Sequence, residues 1–150
     1  MKFSEIRPEE WVEWKPYLDT CIIPYTGLTG KESPIEAVSA LENLRDFLDI
    51  VETPFKGRVV TYPAFHYTAE EHLNSLNDVC RQLKSSGFKF VIIMSTGQEI
   101  NPTEVSASDL IFTCPKCEIS VRSSKEESAE KINQLSQKIH REVYRLWGLQ

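Results

Sequence analysis

Phe90-Val91-Ile92-Ile93-Met94 is the stretch whose reading decides the fold. It shows neither the alternation of a half-exposed strand nor the three-and-four spacing of an amphipathic helix. A short unbroken apolar run rich in β-branched residues suits a strand covered on both faces, as in a parallel sheet. The run is far too short to cross a bilayer. Working outward, Phe88 to Ser95 forms the full strand segment, and Gly87 before it stops a preceding helix. Similar β-rich segments are Cys21-Ile22-Ile23-Pro24-Tyr25, Arg58-Val59-Val60-Thr61-Tyr62 and Leu110-Ile111-Phe112-Thr113. Glu118-Ile119-Ser120-Val121-Arg122 alternates instead and reads as a half-exposed edge strand.

Helix starts separate these strands. Ser33-Pro34-Ile35-Glu36 places Ser at the N-cap, Pro at the first helical position and Glu where it bonds back to the Ser33 N–H. Ile35, Val38, Leu41, Leu44, Leu48 and Val51 then recur at helical spacing and predict one apolar stripe. Thr68-Ala69-Glu70-Glu71 and Ser124-Lys125-Glu126-Glu127 open two further helices, the second carrying Ile132, Leu135, Ile139, Val143 and Leu146. Pro8-Glu9-Glu10 starts a brief helix with Trp11 and Trp14, ended by Pro16. Strand and helix in alternation predict a single α/β domain over residues 1–150, in three α/β/α layers. Its sheet is expected to be mainly parallel, with about four or five strands.

The chain has 150 residues, enough for one domain, with 41% apolar and 26% charged residues, so disorder is not favoured. A formal charge of -5, with bases scattered among acids, argues against nucleic acid as a partner. Met1-Lys2-Phe3-Ser4-Glu5 lacks the apolar core of a signal peptide, and no segment suits membrane insertion, so a cytoplasmic location is expected.

Cys114-Pro115-Lys116-Cys117 offers two thiolates at the spacing that grips one zinc, but a structural zinc needs four ligands. A second copy of the chain, or Cys21 with a histidine, would have to complete it; reduced thiols in a simple turn are the plainer expectation. Cys80 falls on a helical apolar stripe and reads as core. Polar turns at the carboxyl ends of the strands make the better candidate site, since open α/β sheets hold ligands there. Those turns bring Thr26 and Thr29, His66 and Tyr67, and Ser95, Thr96 and Gln98 to one end of the sheet. Hydroxyls, an imidazole and glycine turns beside helix starts suit a small anion or polar ligand. The same residue types also serve as ordinary turn and cap residues. Neither Gly27-Leu28-Thr29-Gly30 nor Ser95-Thr96-Gly97-Gln98 is a phosphate-binding fingerprint, and Ser95 lacks the glycines of a nucleophile elbow. His72 and His140 read as solvated helix residues.

Several stretches together resemble the YpiF family of uncharacterised proteins from Bacillus-type bacteria. They are Met1 to Ile6 with Trp11, Lys15-Pro16-Tyr17-Leu18-Asp19-Thr20-Cys21, Thr26 to Gly30, and Pro54 to Ala64. The resemblance implies a cytosolic protein of a Gram-positive spore-former and carries no activity or catalytic residue. The order of elements is also similar, at fold level, to creatininase-type amidohydrolases. Those enzymes place metal ligands in a Glu-x-His-Gly segment and a Gly-His-Gly-Gly-Asn turn. Here Thr29-Gly30-Lys31-Glu32 and Ser95-Thr96-Gly97-Gln98 stand at those places, without an imidazole. That similarity therefore implies a relative lacking the two-metal centre.

The expected function is thus non-catalytic binding of a protein partner or small ligand at the strands' carboxyl ends, with no cofactor and room for an oligomer. Two alternatives stand beside it. One is a hydrolase using His66 with Ser95 or Thr96; the other is a zinc-stabilised interaction module built on Cys114 and Cys117.

Overall fold

The computed structural model describes residues 1–67, 73–97, 99–114 and 125–149. A short 3-10 turn, Phe3–Glu5, precedes helix α1 (Pro8–Trp14), strand β1 (Thr20–Tyr25) and helix α2 (Pro34–Glu52). Strand β2 (Val59–Thr61), helix α3 (Leu73–Ser85), strands β3 (Phe90–Ser95) and β4 (Leu110–Thr113), and helix α4 (Lys125–Leu146) follow. The strands form one sheet in the order β2-β1-β3-β4, with every neighbouring pair parallel. The expected alternating strand through Ile119 and the capping boxes at Thr68 and Ser124 lie outside the described residues, as do His72, Gln98 and Cys117.

The apolar run of β3 sits where its composition requires, between β1 and β4, with Val91 to Met94 fully buried. Its alternate residues feed two cores. Val91 and Ile93 join Cys21, Ile23, Leu76, Cys80 and Leu83 on the face covered by α3, where Trp11 and Trp14 also pack. Ile92 and Met94 join Ile22, Phe47, Val51, Ile139 and Val143 under α2 and α4. Three layers result, as the strand and helix order predicts. Between β3 and β4 a loop replaces the crossover helix. Ile100 and Val105 seat it on the α3 face, and buried Asn77 accepts from the Ala107 N–H at 2.8 Å.

The start of α2 carries the predicted reciprocal cap: Ser33 N–H donates to Glu36 Oε2 at 2.7 Å, and Glu36 N–H to Ser33 Oγ at 3.3 Å. Its buried stripe differs from the predicted one. Ala40, Leu44, Phe47, Leu48 and Val51 face the sheet, whereas Ile35 is 79% exposed and Val38 and Leu41 are exposed too. Length explains the exposure of Ile35 and Val38; the facing of the helix, which turns Ala40 inward, explains that of Leu41. Nineteen helical residues span ~28 Å, while a six-residue strand spans ~20 Å. The first turns of α2 therefore overhang the carboxyl end of the sheet.

Strand β2 is half as long as its neighbour, and two prolines account for this. Thr20 N–H donates to Arg58 O, so the ladder advancing two residues at a time comes to need a Pro24 N–H, which does not exist. Pro63 lacks the N–H that would continue the outer-edge pairing begun by Thr61 with Met1. The paired strand therefore ends at Thr61. Tyr62 N–H still donates to Ile22 O at 2.9 Å, and contact resumes at Phe65, whose N–H donates to Pro24 O at 2.8 Å and whose carbonyl accepts from Thr26 N–H at 3.1 Å. The outer edge of β2 is covered by the first residues: Thr61 N–H donates to Met1 O at 2.8 Å, and the Met1 amino group donates to Val59 O at 3.1 Å. Covering an edge in this way removes a template for pairing with other chains.

Candidate functional site

With α2 and α3 on opposite faces, the strand order reverses between β1 and β3, and their carboxyl ends form the switch point where α/β sheets hold ligands. Here the two following loops close on each other. Thr96 N–H donates to Tyr25 O at 3.2 Å, and Gly97 lies flat against Thr26 and Gly27. A β-carbon on Gly97 would stand 2.6 Å from Thr26 O, so only glycine fits this approach.

Ser95 and Thr96 are buried beneath that contact. His66 is exposed and meets Thr26 instead, at 2.9 Å between Nδ1 and Oγ1. The Thr26 hydroxyl also stands 3.1 Å from Phe65 O, so its one proton serves either that carbonyl or Nδ1. The contact with Thr26 engages Nδ1 and leaves Nε2 as the ring nitrogen that Thr26 does not hold. No partner for Nε2 occurs among the described residues. Beside it stands Tyr67, 67% exposed, with its ring edge-on to the imidazole at 6.3 Å. Tyr67 has φ 55, a left-handed conformation that costs a bulky residue on the order of 1–2 kcal/mol.

Thr29 belongs to a separate arrangement. The Glu32 carboxylate accepts from Thr29 N–H at 2.9 Å, from Gly30 N–H at 2.9 Å and from the Thr29 hydroxyl at 3.0 Å. Backbone amides that resemble an anion cradle are thus filled by the chain's own anion. The Thr29 amide, followed by the other amides and the hydroxyl, pulls the Glu32 carboxyl down to about 2. A carboxyl depressed on folding contributes stability that is fully present above its unfolded value, near 4.5, and is lost as pH falls through about 2. The Glu32 carboxyl carbon is therefore expected to titrate by NMR near pH 2, with the Thr29 and Gly30 amide shifts moving together. A midpoint near 4.5 would mean that the loop does not hold this geometry in solution.

The cysteines separate by face. Cys21 and Cys80 are buried together in the core under α3, and burial foremost raises both thiols, Cys80 to about 11. Cys114 lies in the core on the opposite face, so Cys21 cannot join it around one metal. Among the described residues no three His, Cys, Asp or Glu side chains gather as a metal cage. His140, read from sequence as solvated, instead pairs through Nε2 with Ile50 O at 2.7 Å and packs edge-on against Phe55. The tryptophans divide between the two faces. Trp147 caps the amino end of the sheet, donating to Thr20 Oγ1 at 2.9 Å with the Arg58 guanidinium 4.2 Å over its ring. Arg58 in turn grips Asp19 with two bonds of 2.9 and 3.0 Å.

A family model described as "Protein of unknown function (DUF2487)" matches residues 9–147. The chain belongs to that family. No curated protein and no solved structure matches it. The DUF2487 match spans both cores, the closed switch point and the His66–Tyr67 surface. No helix among the described residues is long and apolar enough to cross a membrane.

Proposed function

We propose that this DUF2487 domain is a non-catalytic recognition protein of the cytosol, whose contact surface is centred on His66 and Tyr67. The observation that carries the reading is the held imidazole. Thr26 fixes the ring through Nδ1 and directs Nε2 outward, beside an exposed aromatic on strained backbone. Strain in a bulky exposed residue is a mark of functional sites, and tyrosine joins an apolar ring to a polar tip as contact surfaces require. A protein partner suits this surface better than a small molecule, because the switch-point crevice that would enclose one is closed by Gly97. The hydrolase alternative has less support: the hydroxyl it would use, on Ser95 or Thr96, is buried.

A photo-crosslinking residue placed at position 67 in the native cells tests the proposal. One discrete adduct is expected, and it should be lost or greatly weakened when His66→Ala is added. The same probe at Tyr17, an exposed tyrosine distant in sequence, serves as the control. An identical adduct pattern at both positions would reject the surface.

A further inference from the structure

We propose that the cavity between α2, the end of β2 and the N-terminal residues binds a small primary ammonium compound with an apolar body about the size of one ring. The cavity exists because β2 stops early. Leu41, Leu44 and Leu48 of α2 line it together with Pro24, Ala64 and Phe3, beside Thr61, the last paired residue of β2. Its volume is about 200 Å³. An apolar cavity of ~150 Å³ already admits benzene, so this one holds a ring and a short polar arm.

Two polar groups make it more than a packing gap. Glu52 is 6% exposed and Thr61 4%, both line the cavity, and neither Glu52 Oε1 nor Thr61 Oγ1 has a hydrogen-bond partner among the described residues. A buried carboxylate oxygen without a donor is costly, and native proteins leave few of them. What Glu52 Oε1 lacks is a donor, and an ammonium supplies donors together with the opposite charge. The Thr61 hydroxyl can accept a second N–H of the same group. Both oxygens lie under the surface, so side-chain turns at Glu52 and Thr61 accompany entry.

Arg45 is committed to Asp46 at 3.0 Å. The Met1 amino group is held near Glu52 and feels its charge, yet it donates to Val59 O and leaves Oε1 without a donor, and Lys2 lies on the cavity wall. These two cations raise the alternative that the cavity prefers an anion, which the same experiment decides. The site is independent of the His66–Tyr67 surface.

The test is titration of the full chain with benzylammonium, benzoate and toluene, followed by amide NMR. Saturable benzylammonium binding is expected, with shifts concentrated at Leu41, Leu44, Thr61 and Ala64. Glu52→Gln, which keeps the shape and removes the charge, is expected to weaken it roughly tenfold or more. Leu41→Trp, altered at the exposed rim, is expected to block entry without unfolding the chain, and His66→Ala to leave binding unchanged. Benzoate or toluene binding as tightly as benzylammonium would overturn the proposal. So would the absence of saturable binding by any of the three, which would leave the cavity to water.

Discussion

Phe47→Ala is expected to lose about 3–5 kcal/mol, the usual cost of emptying a fully buried phenylalanine site. Phe47 has no exposed surface and packs in the core with Ile22, Val51 and Met94, so its ring joins α2 to both central strands. Neighbours on a parallel sheet are held by the strand ladder and cannot collapse far into the vacancy. Small domains have on the order of 5–15 kcal/mol in all, so this one change removes a large share. Urea unfolding reads it as a lower midpoint at an unchanged slope. The informative control is Val38→Ala. Helical spacing from Ile35 puts Val38 on the core stripe, whereas the structure leaves it exposed, and its loss should stay within ~0.5 kcal/mol. Equal losses from the two variants would mean that α2 is rotated from the orientation described.

Gly97→Ala is expected to cost about 2–3 kcal/mol, toward the upper end of overpacking penalties. The added carbon would meet Thr26 O at 2.6 Å and Gly27 Cα at 3.1 Å, and both are backbone atoms of the neighbouring loop. A flexible side chain could swing aside; backbone tied to β1 cannot. The strain is relieved only by parting the loops, which shifts Thr26 and releases the His66 ring it holds. Thermal unfolding should show the stability loss, and the His66 ring signals should change with it. A stability loss with unaltered His66 signals would show that the contact closes the switch point without positioning the imidazole. Unchanged stability would show that the two loops stand farther apart than described.

Much of the architecture was legible along the chain. The apolar run Phe90 to Met94, the Ser33 cap and the proline that opens α1 each act within a few residues, and each stands where it was read. The facing of α2 was not legible, because helical periodicity admits more than one stripe. Ile35, Val38 and Leu41 fit the spacing as well as Phe47 does. The length of the strand beneath left the first turns uncovered, and the facing of the helix on the sheet buried Ala40 rather than Leu41. His140 was misread for a related reason: its partner, Ile50 O, lies 90 residues earlier.

The candidate site divides in the same way. Thr26, Thr29, His66, Tyr67, Ser95 and Thr96 were all visible as turn residues at strand ends. Their roles diverged once folded: a held imidazole, an internally neutralised cradle and two buried hydroxyls. The Glu52 and Thr61 pair left no signal in sequence, since a glutamate late in a helix and a threonine in a strand are unremarkable. Local order follows from sterics, capping and hydrophobic period, which act between near neighbours and so are written in the sequence itself. Which strand end meets which, and which polar atoms are left without partners, depends on contacts such as Thr26 with His66, 40 residues apart. Such contacts arise only when chain connectivity and packing bring distant segments together, and that was decided by the tertiary structure.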